Sequence, residues 1–424
     1  MAKTITGKQV GDSYYQVEHP SGLTVLLYPK EHCSTTYAIF GTRYGSIDNC
    51  FQRSDEAGPE SVPEGIAHYL EHKLFESEEG DAFERFSKTG ASANAFTSFE
   101  STCYLFSTTD QVYQSLEILL DFVQSPYFTE ETVRKEQGII GQEIKMYDDD
   151  PQWRVMFNYL KAMYHSHPIR EDIAGTVESI AKITPELLYR CYNTFYNLGN
   201  MVLAIAGNFQ VDKALAVCDK MLKPAAPVTV QRVFPQEPDT IVQPVVEERL
   251  SVASPLFQFG FKEPGADQLR SEKDVAATEV LLETLASDAS PLFRQLLDQG
   301  LVNESSFSYE YFEGNGYATV MFSGESKDPQ AVAQAILEEV ERFQREGIPA
   351  EAFERSKRAL YGELVAALNS TGSIANGLVN MHLKGRELFT YIDSLASLRL
   401  EDGEERLRKV FQRERSVLSV ILPH

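Results

Sequence analysis

The same order of secondary-structure elements is predicted twice along this chain of 424 residues. In the first half, apolar periodicity and turn residues predict strands at 22–30, 37–46, 93–108 (a pair) and 197–207, and helices at 61–75, 110–124 and 129–147. In the second half they predict strands at 256–261, 305–323 (a pair) and 416–422, and helices at 273–287, 329–345 and 350–368. The helix at 350 starts about 220 residues after the one at 129, so Glu363 falls opposite Glu143. A duplicated α+β unit of roughly 200 residues explains this order.

A proline-rich stretch separates the two halves. Residues 223–248 contain five prolines and little periodicity, which is typical of a linker. We therefore predict an N-terminal domain at 1–222, a linker at 223–248 and a related C-terminal domain at 249–424. The predicted fold class is α+β, with a mixed or antiparallel sheet in each half and helices on one face. Few residues are identical between the halves, so two unrelated α+β domains stay an alternative.

The charge of the chain narrows the classes of partner. Lys and Arg total 39 against 62 Asp and Glu, which gives a net charge of −23. Such a field repels nucleic acid and anionic membrane surfaces, and we expect neither as a partner.

No apolar run reaches the ~18 residues of a membrane span, and no secretory signal is visible, so we expect a cytoplasmic protein. The five cysteines have no Cys-x-x-Cys spacing and predict free thiols.

A histidine pair in the helix predicted at 61–75 carries the strongest chemical signal. His68 and His72 are four residues apart, so their imidazoles lie on one face of a helix and can reach one metal ion. Glu71 lies beside them as a carboxylate able to move a proton. Two imidazoles with room for a third ligand and a water suit zinc.

The third ligand is expected from the helix predicted at 129–147. Glu136 and Glu143 are seven residues apart, two helical turns, and therefore share one face with Ile140 between them. Carboxylates on an apolar face are rarely buried without a partner. The spacing thus predicts that one of the two glutamates meets the cation.

These residues give the chain a family resemblance. His68-x-x-Glu71-His72 with Glu136 and Glu143 downstream resembles the motif of the inverzincins, the zinc metallopeptidase family of pitrilysin, insulin-degrading enzyme and mitochondrial processing peptidase. Similar segments at 90–97, 102–104, 167–180 and 200–207 extend the resemblance over essentially the whole chain.

The resemblance implies roles for individual residues. It implies that His68, His72 and Glu143 bind zinc, that Glu71 is the general base, and that Glu136 orients a ligand. It also implies that Asn94, Ala95 and Phe96 lie in an edge strand that takes an extended peptide by main-chain pairing. The implied function is that of a zinc-dependent metalloendopeptidase acting on extended or unfolded peptides.

The chain departs from the family pattern in its second half. Leu296 stands where the family commonly has an arginine, and Asn303 stands where it has a tyrosine. Since leucine cannot bind a carbonyl oxygen, part of the substrate site would be missing. The resemblance also implies a chamber built from two units of about this length, so we expect a dimer. It is either a homodimer or, as the missing arginine and tyrosine favour, a heterodimer with a homologous subunit that lacks the zinc motif. The alternative function is a non-catalytic peptide-binding or assembly subunit.

Overall fold

The computed structural model describes residues 2–78, 80–265 and 269–424. The strands are β1 (Ala2–Thr6), β2 (Ser13–Glu18), β3 (Thr24–Pro29), β4 (Thr36–Thr42), β5 (Cys50–Arg53), β6 (Glu60–Ser61), β7 (Glu76–Ser77), β8 (Gly80–Asp81), β9 (Ser92–Thr97), β10 (Thr102–Thr108), β11 (Met201–Gly207), β12 (Val230–Arg232), β13 (Val245–Leu250), β14 (Leu256–Lys262), β15 (Ser308–Gly314), β16 (Tyr317–Glu325) and β17 (Ser416–Pro423). The α-helices are α1 (Ile66–Leu74), α2 (Ala82–Thr89), α3 (Val112–Val123), α4 (Glu130–Asp148), α5 (Pro151–Met163), α6 (Val177–Ile180), α7 (Pro185–Phe195), α8 (Val211–Met221), α9 (Glu272–Ala286), α10 (Pro291–Asp298), α11 (Pro329–Glu346), α12 (Ala350–Ala367), α13 (Thr371–Leu383), α14 (Leu388–Ala396) and α15 (Leu400–Val410). Short 3-10 helices lie at Pro168–Arg170, Leu198–Asn200 and Arg413–Arg415.

The chain forms two compact units, and each unit is assembled from three segments. The first unit comprises Met1–Ile144, Glu171–Val233 and Val365–Thr390. The second comprises Lys145–Arg170, Phe234–Leu364 and Tyr391–His424. Each compact unit therefore includes a helical segment from the other half of the sequence, Val365–Thr390 in the first unit and Lys145–Arg170 in the second. The domains 1–222 and 249–424 stay a prediction about the repeated parts of the chain.

A seven-stranded mixed sheet organises the first unit. Its strand order is β1-β2-β3-β11-β4-β10-β9, and among these pairs only β3 and β11 run parallel. The central strand β11 reads Met-Val-Leu-Ala-Ile-Ala-Gly and is buried along its whole length, as a strand covered on both faces must be. Helix α13 packs against β11 and β4. This arrangement leaves β9 at one edge of the sheet.

The sheet of the second unit repeats part of this arrangement. Its order is β13-β17-β14-β16-β15, with a parallel β13–β17 pair and antiparallel pairs for the rest. The order and directions match those of β3-β11-β4-β10-β9 strand for strand. Helix α5 packs against β17, β14 and β13, in the same way as α13 packs in the first unit. The prediction of two related α+β halves with mixed sheets is confirmed.

Two of the places where the structure differs from the sequence predictions have a clear physical reason. The segment 223–248 is not entirely irregular, because β12 pairs with β5 and the first residues of β13 pair with β17. The residues of β13 alternate between exposed and half-buried, and neither face of the strand is buried and apolar. The sequence therefore gives no strand signal there. Helix α5 was also missed; Pro151 occupies its first turn and the Asp150 side chain caps it, so the feature that ends α4 also begins the next helix.

Candidate metal centre

Helix α1 begins at Ile66, after a left-handed glycine. Gly65 has φ of 83°, and the helix has no side-chain cap, so the start predicted at residue 61 is wrong. A Cβ at residue 65 would lie 2.3 Å from the Ala174 carbonyl oxygen, which explains why glycine is needed at this turn. Eight of the nine residues of α1 are buried. The close approach of the chain at Gly65 therefore fixes the start of a helix whose polar residues lie inside the unit.

Three side chains from α1 and α4 converge on one point. The Nε2 atom of His68 lies 3.7 Å from Oε1 of Glu143, and Nε2 of His72 lies 3.5 Å from Oε2 of the same carboxylate. One ligand atom from each of the three residues falls within 4.8 Å of the others. Ligands held 2.0–2.2 Å from a tetrahedral zinc ion are roughly 3.3–3.6 Å apart. The donor set of two imidazoles and one carboxylate fits a zinc ion.

Glu136 contacts the far side of the His72 ring. Its Oε1 atom lies 3.0 Å from Nδ1 of His72. If Nδ1 carries the proton and donates it to this carboxylate, Nε2 keeps the lone pair that faces Glu143. The backbone also ties the two helices here, since the Tyr69 hydroxyl of α1 donates to the Val133 carbonyl of α4. Glu136 thus lies outside the group of three ligand atoms and contacts the ring that carries one of them.

Glu71 lies in the same helix but outside the three-residue group. It is 8% exposed, and its Oε2 accepts a hydrogen bond of 2.7 Å from the Thr97 hydroxyl. Burial raises the pKa of Glu71 above its ordinary value, although the Thr97 hydrogen bond opposes this. A carboxylate with a raised pKa beside a metal centre is suited to accept and return a proton.

The two histidines differ in their electrostatic environment. Burial, together with the charge of His72, lowers the pKa of His68 to about 4, so this imidazole is neutral at pH 7. Burial alone would lower the pKa of His72 too, but the hydrogen bond to Glu136 and the charges of nearby glutamates outweigh it and raise the pKa. The excess of carboxylates around the pair favours a bound cation.

The predicted peptide-binding residues lie on an edge strand. Asn94, Ala95 and Phe96 belong to β9, which pairs with β10 and is the last strand of its sheet among the described residues. Asn94 is exposed, and its side-chain oxygen accepts a hydrogen bond from the Ala95 amide. Helix α1 packs against β9, so this strand lies beside the helix that carries His68 and His72.

Leu296 and Asn303, at the positions where the family has an arginine and a tyrosine, both belong to the second unit. Leu296 is fully buried in α10. The Asn303 side-chain oxygen accepts hydrogen bonds from the backbone amides of Ser305 and Ser306. These positions serve the core and a loop, respectively, which agrees with the departure from the family pattern seen in the sequence.

Sequence reasoning missed two residues of this region. Thr97 falls within the similar segment 90–97 but has no predicted role, because no local pattern shows which side chain its hydroxyl meets. Gly65 was missed because the pattern Ser61-Val-Pro-Glu64 predicts a capping box at an earlier position. Only the fold reveals the Ala174 carbonyl that excludes a side chain there.

Comparison with known proteins identifies the family. A family model described as "Insulinase (Peptidase family M16)" matches residues 60–177, and a model described as "Peptidase M16 inactive domain" matches residues 182–360. A Bacillus subtilis protein named as an uncharacterized zinc protease, YmfH, is 39% identical over 428 residues and 100% of both chains. This chain belongs to peptidase family M16. The resemblance stated from the sequence is confirmed, and the M16 match at 60–177 contains every residue of the candidate centre.

Solved structures of M16-like proteins share the fold. The crystal structure of an M16-like peptidase from Alicyclobacillus acidocaldarius is 36% identical, with a TM-score of 0.92 over 100% of this chain and 98% of that one. A Helicobacter pylori protease, at 19% identity and a TM-score of 0.79, covers 100% of this chain and 99% of its own. Pitrilysin, at 16% identity and a TM-score of 0.74, covers 99% of this chain and 46% of its own. The last two likenesses concern the fold alone. Among the described residues, no helix has the length and apolarity needed to cross a membrane.

Proposed function

We propose that the protein is a zinc-dependent metalloendopeptidase that hydrolyses extended or unfolded peptides. The observation that carries this proposal is the convergence of His68, His72 and Glu143, with Glu71 buried beside them and bonded to a different side chain. Relatives named as zinc proteases support zinc as the metal and peptides as the substrates.

In this proposal each residue of the centre has one role. His68, His72 and Glu143 hold the ion, and Glu136 fixes the orientation of His72 through Nδ1. The bound zinc ion would supply Lewis-acid chemistry, acidifying a water molecule and polarising a peptide carbonyl. Glu71 accepts the proton of the attacking water and returns it to the leaving amine. The raised pKa of Glu71 suits both transfers, since the carboxyl group must hold a proton between them.

The proposed substrate lies along β9. The free edge of that strand offers main-chain donors and acceptors to an extended peptide, and Asn94, Ala95 and Phe96 would contact it. An unfolded segment can pair in this way, whereas a strand already inside a folded protein has no free edge to offer. Unfolded peptides are thus the proposed substrate class.

The proposed assembly is a dimer, either a homodimer or a heterodimer with a homologous subunit that lacks the zinc motif. Leu296 supports a partner that carries the arginine and the tyrosine, because it is buried and apolar and offers no hydrogen-bond donor to a substrate carbonyl. The side-chain oxygen of Asn303 is engaged within its own loop. The cytoplasmic location expected from the sequence also stays a proposal.

The alternative proposal is a peptide-binding or assembly subunit without turnover. It keeps the fold and the edge strand, and the same absence of an arginine and a tyrosine supports it. The intact set of His68, Glu71, His72 and Glu143 favours the enzyme.

The experiment that separates them measures metal content and cleavage of a quenched peptide library by the purified chain, alone and after addition of a homologous protein from the same organism. The proposal expects about one zinc per chain, most of it lost in His68→Ala and Glu143→Ala. It expects cleavage by the chain or by the mixture. Zinc kept at wild-type occupancy in both variants would refute the ligand assignment. A zinc-loaded mixture without turnover would favour the subunit role.

A further inference from the structure

A threonine at the end of the edge strand holds the carboxylate proposed as the base. The Thr97 hydroxyl donates a hydrogen bond of 2.7 Å to Oε2 of Glu71. Among the residues that the structure describes, it is the donor that this carboxylate has. The Glu71 side chain is buried, so a bond to its charged form contributes more than the same bond in water. One carboxylate oxygen is thereby held, and Oε1 is left to handle a proton.

Neighbouring contacts direct the Thr97 proton towards Glu71. Thr102, opposite Thr97 across the β9–β10 pair, is fully buried and donates its own hydroxyl proton to the Tyr44 carbonyl at 2.9 Å. The Thr97 and Thr102 oxygens are 3.5 Å apart, much longer than the bond from Thr97 to Glu71. A β-branched side chain also has few rotamers in a strand. The hydroxyl is therefore fixed in place, and its partner is the carboxylate.

We propose that Thr97 is a positioning residue for Glu71 and couples the peptide-binding strand to proton transfer. The proposal rests on the proposed function. Thr97 belongs to the strand that carries Asn94, Ala95 and Phe96, so its backbone is part of the peptide-binding edge while its hydroxyl holds the base. One residue thus joins the peptide-binding edge to the Glu71 carboxylate.

The test compares Thr97→Val, which keeps the shape but removes the hydroxyl, with Thr97→Ser, which keeps the hydroxyl. Thr97→Val is expected to lower kcat about tenfold with KM within about twofold of wild type, because removing an orienting partner typically costs 10–100-fold in activity. Thr97→Ser should recover most of kcat. Zinc content should stay at the wild-type level in both variants, since Thr97 touches no proposed ligand of the ion.

Two controls separate positioning from damage to the strand pair. Thr108→Val makes the same change in β10, where the hydroxyl donates to the Asp110 carbonyl, and it should leave kcat unchanged. In a Glu71→Gln background, Thr97→Val should cause no further loss, because the base it positions is already gone.

Full kcat in Thr97→Val, in a chain that Glu71→Gln inactivates, would overturn the role of Thr97 alone. Equal losses of kcat in Thr97→Val, Thr97→Ser and Thr108→Val would also overturn it, because they would show general damage to the strand pair. A wild-type chain without turnover, or a Glu71→Gln chain with full turnover, would instead remove the proposed function and the role of Thr97 with it.

Discussion

Removing Glu136 tests whether a carboxylate outside the ligand group controls zinc affinity. Its Oε1 lies 3.0 Å from Nδ1 of His72, and the side chain is 12% exposed. Burial alone would raise the pKa of Glu136, but the hydrogen bond and charge of His72 lower it below the ordinary value, so the group is ionised at pH 7. A hydrogen bond to a charged group contributes about 1.5–3 kcal/mol. Glu136→Ala should therefore weaken zinc binding by roughly 10- to 150-fold.

The assay is a competition titration in zinc-buffered solution with a chelating dye. Glu136→Gln keeps an acceptor oxygen but loses the charge, so its loss of affinity should fall between those of wild type and Glu136→Ala. Glu131→Ala is the matched control, since Glu131 lies exposed in the first turn of the same helix and should leave the zinc Kd unchanged. Wild-type zinc affinity in Glu136→Ala would refute the orienting role, because His72 would then need no partner at Nδ1.

Three further predictions concern pH, substrate and stability. Zinc should be released as the pH falls through and below the ordinary imidazole pKa near 6.5, because the raised pKa of His72 lets a proton compete with the ion. Metal analysis after dialysis measures the zinc occupancy. Occupancy that does not change between pH 7 and pH 5 would contradict this prediction. A proline beside the scissile bond of a model peptide should block cleavage by removing a backbone donor, and mass spectrometry showing cleavage of folded domains but not of unfolded peptides would argue against pairing on β9. Glu237→Gln should lower the free energy of unfolding in urea by about 3 kcal/mol at pH 7, because buried Lys262 loses its carboxylate at 2.6 Å. Burial alone would raise the pKa of Glu237, but Lys262 and backbone amides lower it to about 2. The ion pair therefore stabilises the fold fully above the ordinary pKa of 4.5, and this stabilisation is lost as the pH falls towards 2. An unchanged urea midpoint in Glu237→Gln at pH 7 would contradict the prediction.

The sequence predicts most of the duplicated fold because apolar periodicity survives in both halves. Helices α4 and α12 start and end within one residue or two of their predicted positions, and the strand pair 93–108 is found as β9 and β10. Strand β13 lacks an apolar face and was therefore assigned to the linker. Helix α5 begins at a proline that is equally typical of the end of the helix before it. Which sheet a helix packs against depends on long-range contacts, and a local sequence pattern does not predict it.

The site was predictable to a similar degree. The spacing of His68 and His72 predicts one helix face, and the fold brings Glu143 to it. The choice between Glu136 and Glu143 could not be made from spacing alone, since both share a face; the fold distinguishes them by the ring nitrogens that they approach. The bond from Thr97 to Glu71 joins residues 26 positions apart, and only the packing of α1 on β9 creates it.

The central claim is tested most directly by the hydrolysis of a quenched, unstructured peptide by Glu71→Gln and wild type at matched zinc content, each measured alone and with the homologous protein. The amide keeps the shape of the site but cannot accept the proton of the attacking water. The expected result is about one zinc per chain in both proteins and a rate at least ~100-fold lower for Glu71→Gln. A Glu71→Gln protein that cleaves at the wild-type rate with its zinc bound would contradict the account.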